Sequence, residues 1–156
     1  AEARASLPAG ITAKATLTWQ RARLSAYRYT DASSGVAVIV DNNGHVPQRM
    51  PDIMASASLR AALRQGLQMG ADLTFMGRRY ADDGNSVRLP PFFMLGMDAQ
   101  VDLGRQTRLS GRVSNLFDTI AVMQGDAIAG SVARGAYVVG RALPGRTFTL
   151  ALARSF

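Results

Sequence analysis

Few side chains in this sequence could do chemistry, and their spacing argues against most of it. His45 is the only histidine among 156 residues and there is no cysteine, so neither a thiolate site nor a cluster of imidazole ligands can form. His45 follows Gly44 in a polar stretch, where a surface imidazole is a simpler reading than a metal ligand or a catalytic base. Asp82-Asp83-Gly84-Asn85 sets two carboxylates where they could hold a cation, but those four residues are first of all a turn sequence. Gly125, Gly130, Gly135 and Gly140 lack the strand-turn-helix context of a phosphate loop. No nucleophile, base and orienting acid can be assembled. The chain therefore reads as a non-enzyme with no cofactor and no metal site.

Charge narrows the classes further. Lys and Arg number 18 against 11 Asp and Glu, a net charge of +7, and Lys14 is the only lysine. A nucleic-acid binder would gather its arginines on one helix or interleave them with aromatics on one sheet face. Here they are scattered through alternating segments, turns and loops, so no nucleic-acid partner is expected. No run of about 18 apolar residues is present that would make a membrane helix, and Ala1–Gly10 lacks the charged head and apolar middle of a signal peptide. An export signal, if there is one, is expected upstream.

The elements that carry these residues have a period of two. Ile11, Ala13, Ala15, Leu17 and Trp19 alternate with Thr12, Lys14, Thr16, Thr18 and Gln20, which is a strand with one apolar and one polar face. The pattern is expected to run on through Tyr27 and Tyr29 into a long region from Thr30 to Pro51. Within it, Val36–Val40 reads as a hairpin arm or strand extension rather than as a binding feature. Alternation resumes over Ile53–Leu63, Leu67–Met76, Phe93–Leu103, Arg108–Ser114 and Thr147–Phe156, and Glu2–Leu7 reads as a further strand. Short turns at Leu7–Gly10, Arg64–Gly66 and Gly104–Gln106 alternate with long loops, among them Gly77–Pro90 and Thr119–Leu143.

Short turns at one edge, long loops at the other and strands of about 9 to 11 residues describe a transmembrane β-barrel. A soluble antiparallel sandwich also alternates, but its strands are usually nearer five or six residues. Trp19, Phe75, Phe93, Phe117 and Phe148 all fall on the apolar face near the long-loop ends of their segments, as interface aromatics of such a barrel do. If Gly104–Gln106 is a three-residue hairpin loop, residues equidistant from Arg105 face each other. Asp102 then opposes Arg108 and Asp98 opposes Arg112, a structural ladder on a wet interior face.

One series of motifs resembles a known family. Ser114–Asp118 reads SNLFD, Pro144–Leu152 reads PGRTFTLAL, and the chain ends in Phe156. This is similar to the carboxyl end of TonB-dependent outer-membrane receptors, which commonly show V-x-N-L-F-D and then a P-R-T or G-R-T strand. Val46-Pro47 with Pro51, Tyr80-Ala81-Asp82, and Asn85 with Leu89-Pro90 match the same family's loop ends and strand starts. The resemblance covers almost the whole chain. Arg154 departs from the pattern, standing where the family usually has an apolar or aromatic residue.

The resemblance implies an all-β fold in which residues 1–156 form about six to seven strands of a larger antiparallel barrel of about 22. The plug domain and the segment that contacts TonB precede the barrel in such proteins and are not expected in this chain, which reads as the carboxyl-terminal part of a receptor. The implied function is TonB-dependent active uptake of a scarce ligand, an iron chelate (siderophore) foremost, across the bacterial outer membrane. Its partners would be the rest of the barrel and plug, the TonB complex through the plug, and outer-membrane lipopolysaccharide. Arg49, Arg78, Arg79, Arg88, Arg134 and Arg141 in the loops would suit an anionic chelate, and Phe148, Leu150, Leu152 and Phe156 would form the carboxyl-terminal assembly signal. The alternative is a small self-contained or oligomeric barrel of porin or adhesin type.

Overall fold

The structure is a computed structural model and describes residues 1–32, 35–63, 66–126 and 139–155. In chain order its strands are β1 (Glu2–Leu7), β2 (Ile11–Trp19), β3 (Arg28–Asp31), β4 (Val38–Asp41), β5 (Ile53–Ala62), β6 (Leu67–Met76), β7 (Arg79–Tyr80), β8 (Arg88–Leu89), β9 (Phe92–Gly104), β10 (Thr107–Ser114), β11 (Val122–Asp126), β12 (Val139–Ala142) and β13 (Thr147–Arg154). Seven of them form one antiparallel sheet in the order β1-β2-β5-β6-β9-β10-β13. Each long strand pairs with the next long strand in sequence, so the sheet is a meander. Among the described residues β1 pairs only with β2 and β13 only with β10, which leaves an open wall rather than a closed barrel.

Register gathers most of the strands' apolar residues on one face, with Met54, Met76, Phe92 and Met94 on the other. Ala13, Leu59, Ala71, Met97, Val113 and Phe148 lie in one row across six strands. The adjoining row on the opposite face runs Thr12, Arg60, Gly70, Asp98, Arg112 and Thr149. A slip of one residue anywhere would exchange the two faces of that strand, so the alternation in the sequence fixes the pairing.

The three short connections lie at one end of the sheet. A single 3-10 turn, Pro8–Gly10, joins β1 to β2. Leu63 N–H donates to Leu67 O at 2.7 Å to close the β5–β6 turn. Gly104, Arg105 and Gln106 take φ of 78°, 49° and 59° in the β9–β10 turn. Three successive left-handed residues tighten this connection, and the register shifts between Thr107 and Arg108 before Asp102 meets Arg108 and Asp98 meets Arg112.

The long connections at the other end hold secondary structure of their own. β3 and β4 pair as a separate arm, β7 and β8 form a short ladder inside the stretch read as loop 77–90, and β11 pairs with β12 inside 119–143. β2 does not run on through Tyr27 and Tyr29. It ends at Trp19, Ala26 turns left-handed at φ 56°, and the segment instead bonds 42–52, with Gln20 N–H on Asp52 O at 3.0 Å and Leu24 N–H on His45 O at 2.8 Å.

Burial is confined almost wholly to this end. The described apolar residues that are fully buried, Ala81, Leu89, Phe92 and Ala121, all sit there, together with buried Asn42, Arg79 and Asn115. The sheet itself shields little: Leu17, Leu150 and Leu152 are 50%, 77% and 68% exposed.

Candidate functional site

The end that carries the long connections is the place where side chains from distant segments meet. The 42–50 stretch and the 81–87 turn are stitched together by polar contacts. Asn85 Oδ1 accepts from Val46 N–H at 2.8 Å while its Nδ2 donates to Val46 O at 2.7 Å. Asp83 Oδ1 accepts from Gln48 N–H at 2.8 Å, and His45 Nδ1 lies 3.0 Å from Asp83 O. Asp82 closes the turn by accepting from Ser86 N–H, Ser86 Oγ and Val87 N–H. The Asp-Asp-Gly-Asn sequence is thus a turn whose polar groups hold two loops in register, and among the described residues no cluster of three or more potential metal ligands occurs.

A polar cavity of about 270 Å³ opens between the β3–β4 arm and this turn, lined by Tyr27, Tyr29, Asn42, Gln48, Asp82 and Asp83 among others. The two tyrosine rings meet edge to face with centroids 5.8 Å apart. Asn42 is only 4% exposed. Periodicity could not find this cavity, because its walls come from an arm and a turn whose meeting depends on the cross-loop contacts.

The arginines of the loops divide into different roles. Arg79 is 2% exposed and donates to four backbone carbonyls: Val122 O at 2.5 Å, Met123 O at 2.9 Å, and Gly77 O and Pro90 O at 3.5 Å. Its guanidinium also lies over the Phe92 ring, and burial lowers its pKa from the ordinary guanidinium value. Arg79 faces the protein's own backbone and not solvent. Arg78 Nε donates to Asp52 Oδ2 at 2.9 Å. With the Gln124 side-chain oxygen turned toward it, Arg49 donates to that oxygen at 3.0 and 3.2 Å. Arg88 and Arg141 are exposed, and Arg134 lies outside the described residues.

On the polar face, Arg60 Nη2 donates to both oxygens of Asp72 at 2.8 and 2.9 Å and stands 3.7 Å from Asp98. Arg108 Nε donates to Asp102 Oδ1 at 2.8 Å. Arg112 stands opposite Asp98 in register, but its Nε is 3.5 Å from Ser114 Oγ; the side chain nearer to Asp98 is Arg60, from two strands away. On the apolar face, Phe75 and Phe93 share a row, and Phe117 packs on Phe93 at 6.0 Å. Trp19 lies two residues beyond that row and Phe148 four residues short of it. Arg21 lies over the Trp19 ring and Arg146 over Phe148. Phe148, Leu150 and Leu152 line the exposed apolar face of β13, while Phe156 lies outside the described residues.

A seven-stranded amphipathic meander with short turns at one end and long arms at the other matches solved proteins closely. The siderophore receptor PiuA of Acinetobacter baumannii superposes with a TM-score of 0.79 over 96% of this chain, at 18% identity. The chain has the fold of a TonB-dependent receptor barrel wall. A copper transporter, OprC, has the same receptor fold, with a TM-score of 0.65 over 99% of the chain at 19% identity. In sequence, the ferrioxamine receptor of Yersinia enterocolitica is 28% identical over 103 residues, 66% of this chain. No protein-family model matches the chain. The chain spans 13% of the ferrioxamine receptor's length, 20% of PiuA and 23% of OprC.

Against that receptor fold, the SNLFD segment has a local physical role. Asn115, 1% exposed at φ 52°, donates through Nδ2 to Thr119 O at 3.1 Å and to Pro144 O at 3.0 Å, and accepts from Thr119 N–H at 2.9 Å. Asp118 Oδ1 then accepts from Arg146 N–H at 2.7 Å. The segment ties the end of β10 to the start of β13.

Proposed function

We propose that this chain is part of the barrel wall of a TonB-dependent receptor in the bacterial outer membrane, acting in active uptake of a scarce ligand, an iron chelate foremost. The observation that carries the reading is the apolar face of the seven-stranded sheet, exposed at Leu17, Leu73, Met97, Leu150 and Leu152 and interrupted on β13 by Arg154 beside the short turns. Water would make such a surface costly at about 25 cal/mol per Å², whereas lipid removes that cost.

The aromatic positions support the same placement. From Trp19 to Phe148 they step six residues along the strands over the five strand neighbours from β2 to β13. With about 3.3 Å per residue and 4.8 Å between strands, a line from Trp19 to Phe148 makes an angle of about 40° with the hydrogen-bond rows, within the range of strand tilt in membrane barrels. Arg21 and Arg146, each two residues beyond its aromatic toward the long-loop end, would meet lipopolysaccharide phosphates there.

In this reading the carboxylates and arginines of the polar face line the barrel interior, and the rest of the barrel, its plug and TonB acting through the plug complete the transporter. Exposed Arg88 and Arg141 are the loop arginines open to an anionic group. The test is radioiron uptake into cells whose only outer-membrane iron receptor is the intact protein containing this chain. Uptake of ferric chelates should stop when the proton gradient is collapsed or TonB is removed. Uptake that continues under both conditions would sink the reading.

A further inference from the structure

The structure assigns Arg154, together with Arg105 in the β9–β10 turn, to the headgroup phosphate of a phospholipid in the membrane leaflet at the short-turn edge of the sheet. This rests on the outer-membrane reading proposed above and adds a lipid site at the end of the wall away from the long connections.

The placement of Arg154 carries the assignment. Among the described residues it is the only charged one on the apolar face of the seven strands; every other charged strand residue falls on the polar face. A guanidinium on a lipid-facing surface is costly at the membrane midplane and nearly free of cost at the edge, so its depth decides what it can do.

The turn sets that depth. Thr107 pairs with both Arg154 and Gly104, and Ser155 N–H donates to Gln106 O at 3.1 Å, which holds the end of β13 level with Gly104–Gln106. Turn backbone without sheet partners is not tolerated against hydrocarbon, and this places the turn, with Arg154 beside it, at the water boundary. The next row toward the middle of the sheet is Leu67, Val101, Leu109 and Leu152, apolar throughout. Hydrocarbon thus begins one row from Arg154, whose stem can lie along apolar surface while its charged head stays among headgroups.

The chemistry at this rim selects a phosphate carried on acyl chains. A planar guanidinium bonds phosphate oxygens two at a time, and Arg105, exposed in the turn, brings a second cation to the same rim. Asp102 belongs to the polar face, where its Oδ1 accepts from Arg108 Nε at 2.8 Å, and no Asp or Glu of the seven strands shares the face of Arg154. An anion there meets two positive charges and no strand carboxylate. Leu103 and Leu152 are exposed on that face and would bury area against acyl chains, which a free phosphate ion does not have.

The experiment follows urea unfolding of the intact purified protein containing this chain in maltoside micelles, alone and with added phosphatidylglycerol, diacylglycerol of the same chains, or inorganic phosphate. Arg154→Leu, Arg154→Lys and Arg105→Ala are run beside the parent, and native mass spectrometry reads the affinity for phosphatidylglycerol. The parent's unfolding midpoint should rise with phosphatidylglycerol and not with diacylglycerol or inorganic phosphate. Arg154→Leu should be at least as stable as the parent in maltoside alone, yet gain least from the phospholipid and bind it about fivefold more weakly, the upper end for a half-exposed charge pair. Lysine should keep part of the gain, as a point charge, and Arg105→Ala should lose part of it. Equal phospholipid gain in Arg154→Leu and the parent, or an equal rise with diacylglycerol or with inorganic phosphate, overturns the assignment and leaves the receptor reading in place. A parent that stays monodisperse without detergent and takes up no lipid overturns both.

Discussion

Gly70 leaves the space that the Arg60 side chain occupies: a Cβ built on Gly70 would stand 2.5 Å from Arg60 Nη1. Glycine in mid-strand weakens a sheet, so its presence in β6 has a local reason. The guanidinium crosses β6 to lie between Asp72 on that strand and Asp98 on β9. Gly70→Ala should destabilise the intact protein by about 1 kcal/mol, since Arg60 must shift out of a half-exposed pair. In an Arg60→Ala background the same change should cost less, because only the Asp98 carboxylate, 2.8 Å from that Cβ, must still shift and alanine is otherwise a better strand residue than glycine. Urea unfolding of the four variants measures this, and an equal cost in both backgrounds would show that Gly70 serves something other than Arg60.

Asp102 and Arg108 face each other beside the tight β9–β10 turn, both about half exposed. Reversing one charge places like charges directly across an antiparallel pair, at a cost of roughly 0.2 to 1 kcal/mol. Asp102→Arg and Arg108→Asp should each lower the unfolding midpoint slightly, and the double reversal should recover most of the loss. Raising salt should shrink the difference between single and double variants. Midpoints that add without recovery would remove the pair from the account of this hairpin.

Arg79 joins three loop segments through one side chain, reaching the carbonyls of Gly77, Pro90, Val122 and Met123. Charge-assisted bonds of this kind contribute about 1.5 to 3 kcal/mol each when their partners would otherwise be unpaired. Arg79→Ala should therefore loosen the β11–β12 arm by about 2 to 3 kcal/mol while leaving the seven-stranded sheet intact. Lysine should rescue it only partly, because an ammonium is a point donor and cannot reproduce the planar fork. Hydrogen exchange checks this: amides of Val122 and Met123 should exchange faster in both variants, and those of β6 and β9 should not change.

How much of this was legible in the sequence follows from where each feature takes its cause. The strand pairing was legible because alternation and register are one constraint, but Asp98 meets Arg112 only through the register shift between Thr107 and Arg108, without which Gly104 opposite Thr107 would set Asp98 against Val113. Side-chain choice was not legible, since Arg60 approaches Asp98 from two strands away and does so only because Gly70 is small. The loops were read as loops because Arg79-Tyr80 and Arg88-Leu89 are too short for periodicity to register. Arg79 looked like a surface cation by type, and its burial arises from carbonyls more than forty residues distant. The Tyr27–Asn42–Asp83 cavity likewise depends on contacts between segments that carry no common pattern.

The Asn115 hub can be tested by separating its backbone role from its hydrogen bonds. Alanine loses the bonds to Thr119 and Pro144 and must also take a left-handed φ, which costs an ordinary residue about 1 to 2 kcal/mol. Glycine is relieved of that strain and loses only the bonds. Aspartate tolerates the backbone and keeps the acceptor for Thr119 N–H, but sets a buried carboxylate against the carbonyls of Thr119 and Pro144. Alanine should therefore be the least stable, by about 2 to 4 kcal/mol locally, with glycine between it and the parent. The Asn115→Asp carboxyl should titrate above its unfolded pKa, because burial and facing carbonyls favour the neutral form. Its local stability is then fullest below the unfolded pKa and falls as pH rises through the folded one. Protection of the β13 amides, followed by hydrogen exchange from acid to neutral pH and corrected for intrinsic rates, reads both effects. An Asp variant equally protected across that range would mean that Asn115 does not hold β13 through its two donated bonds.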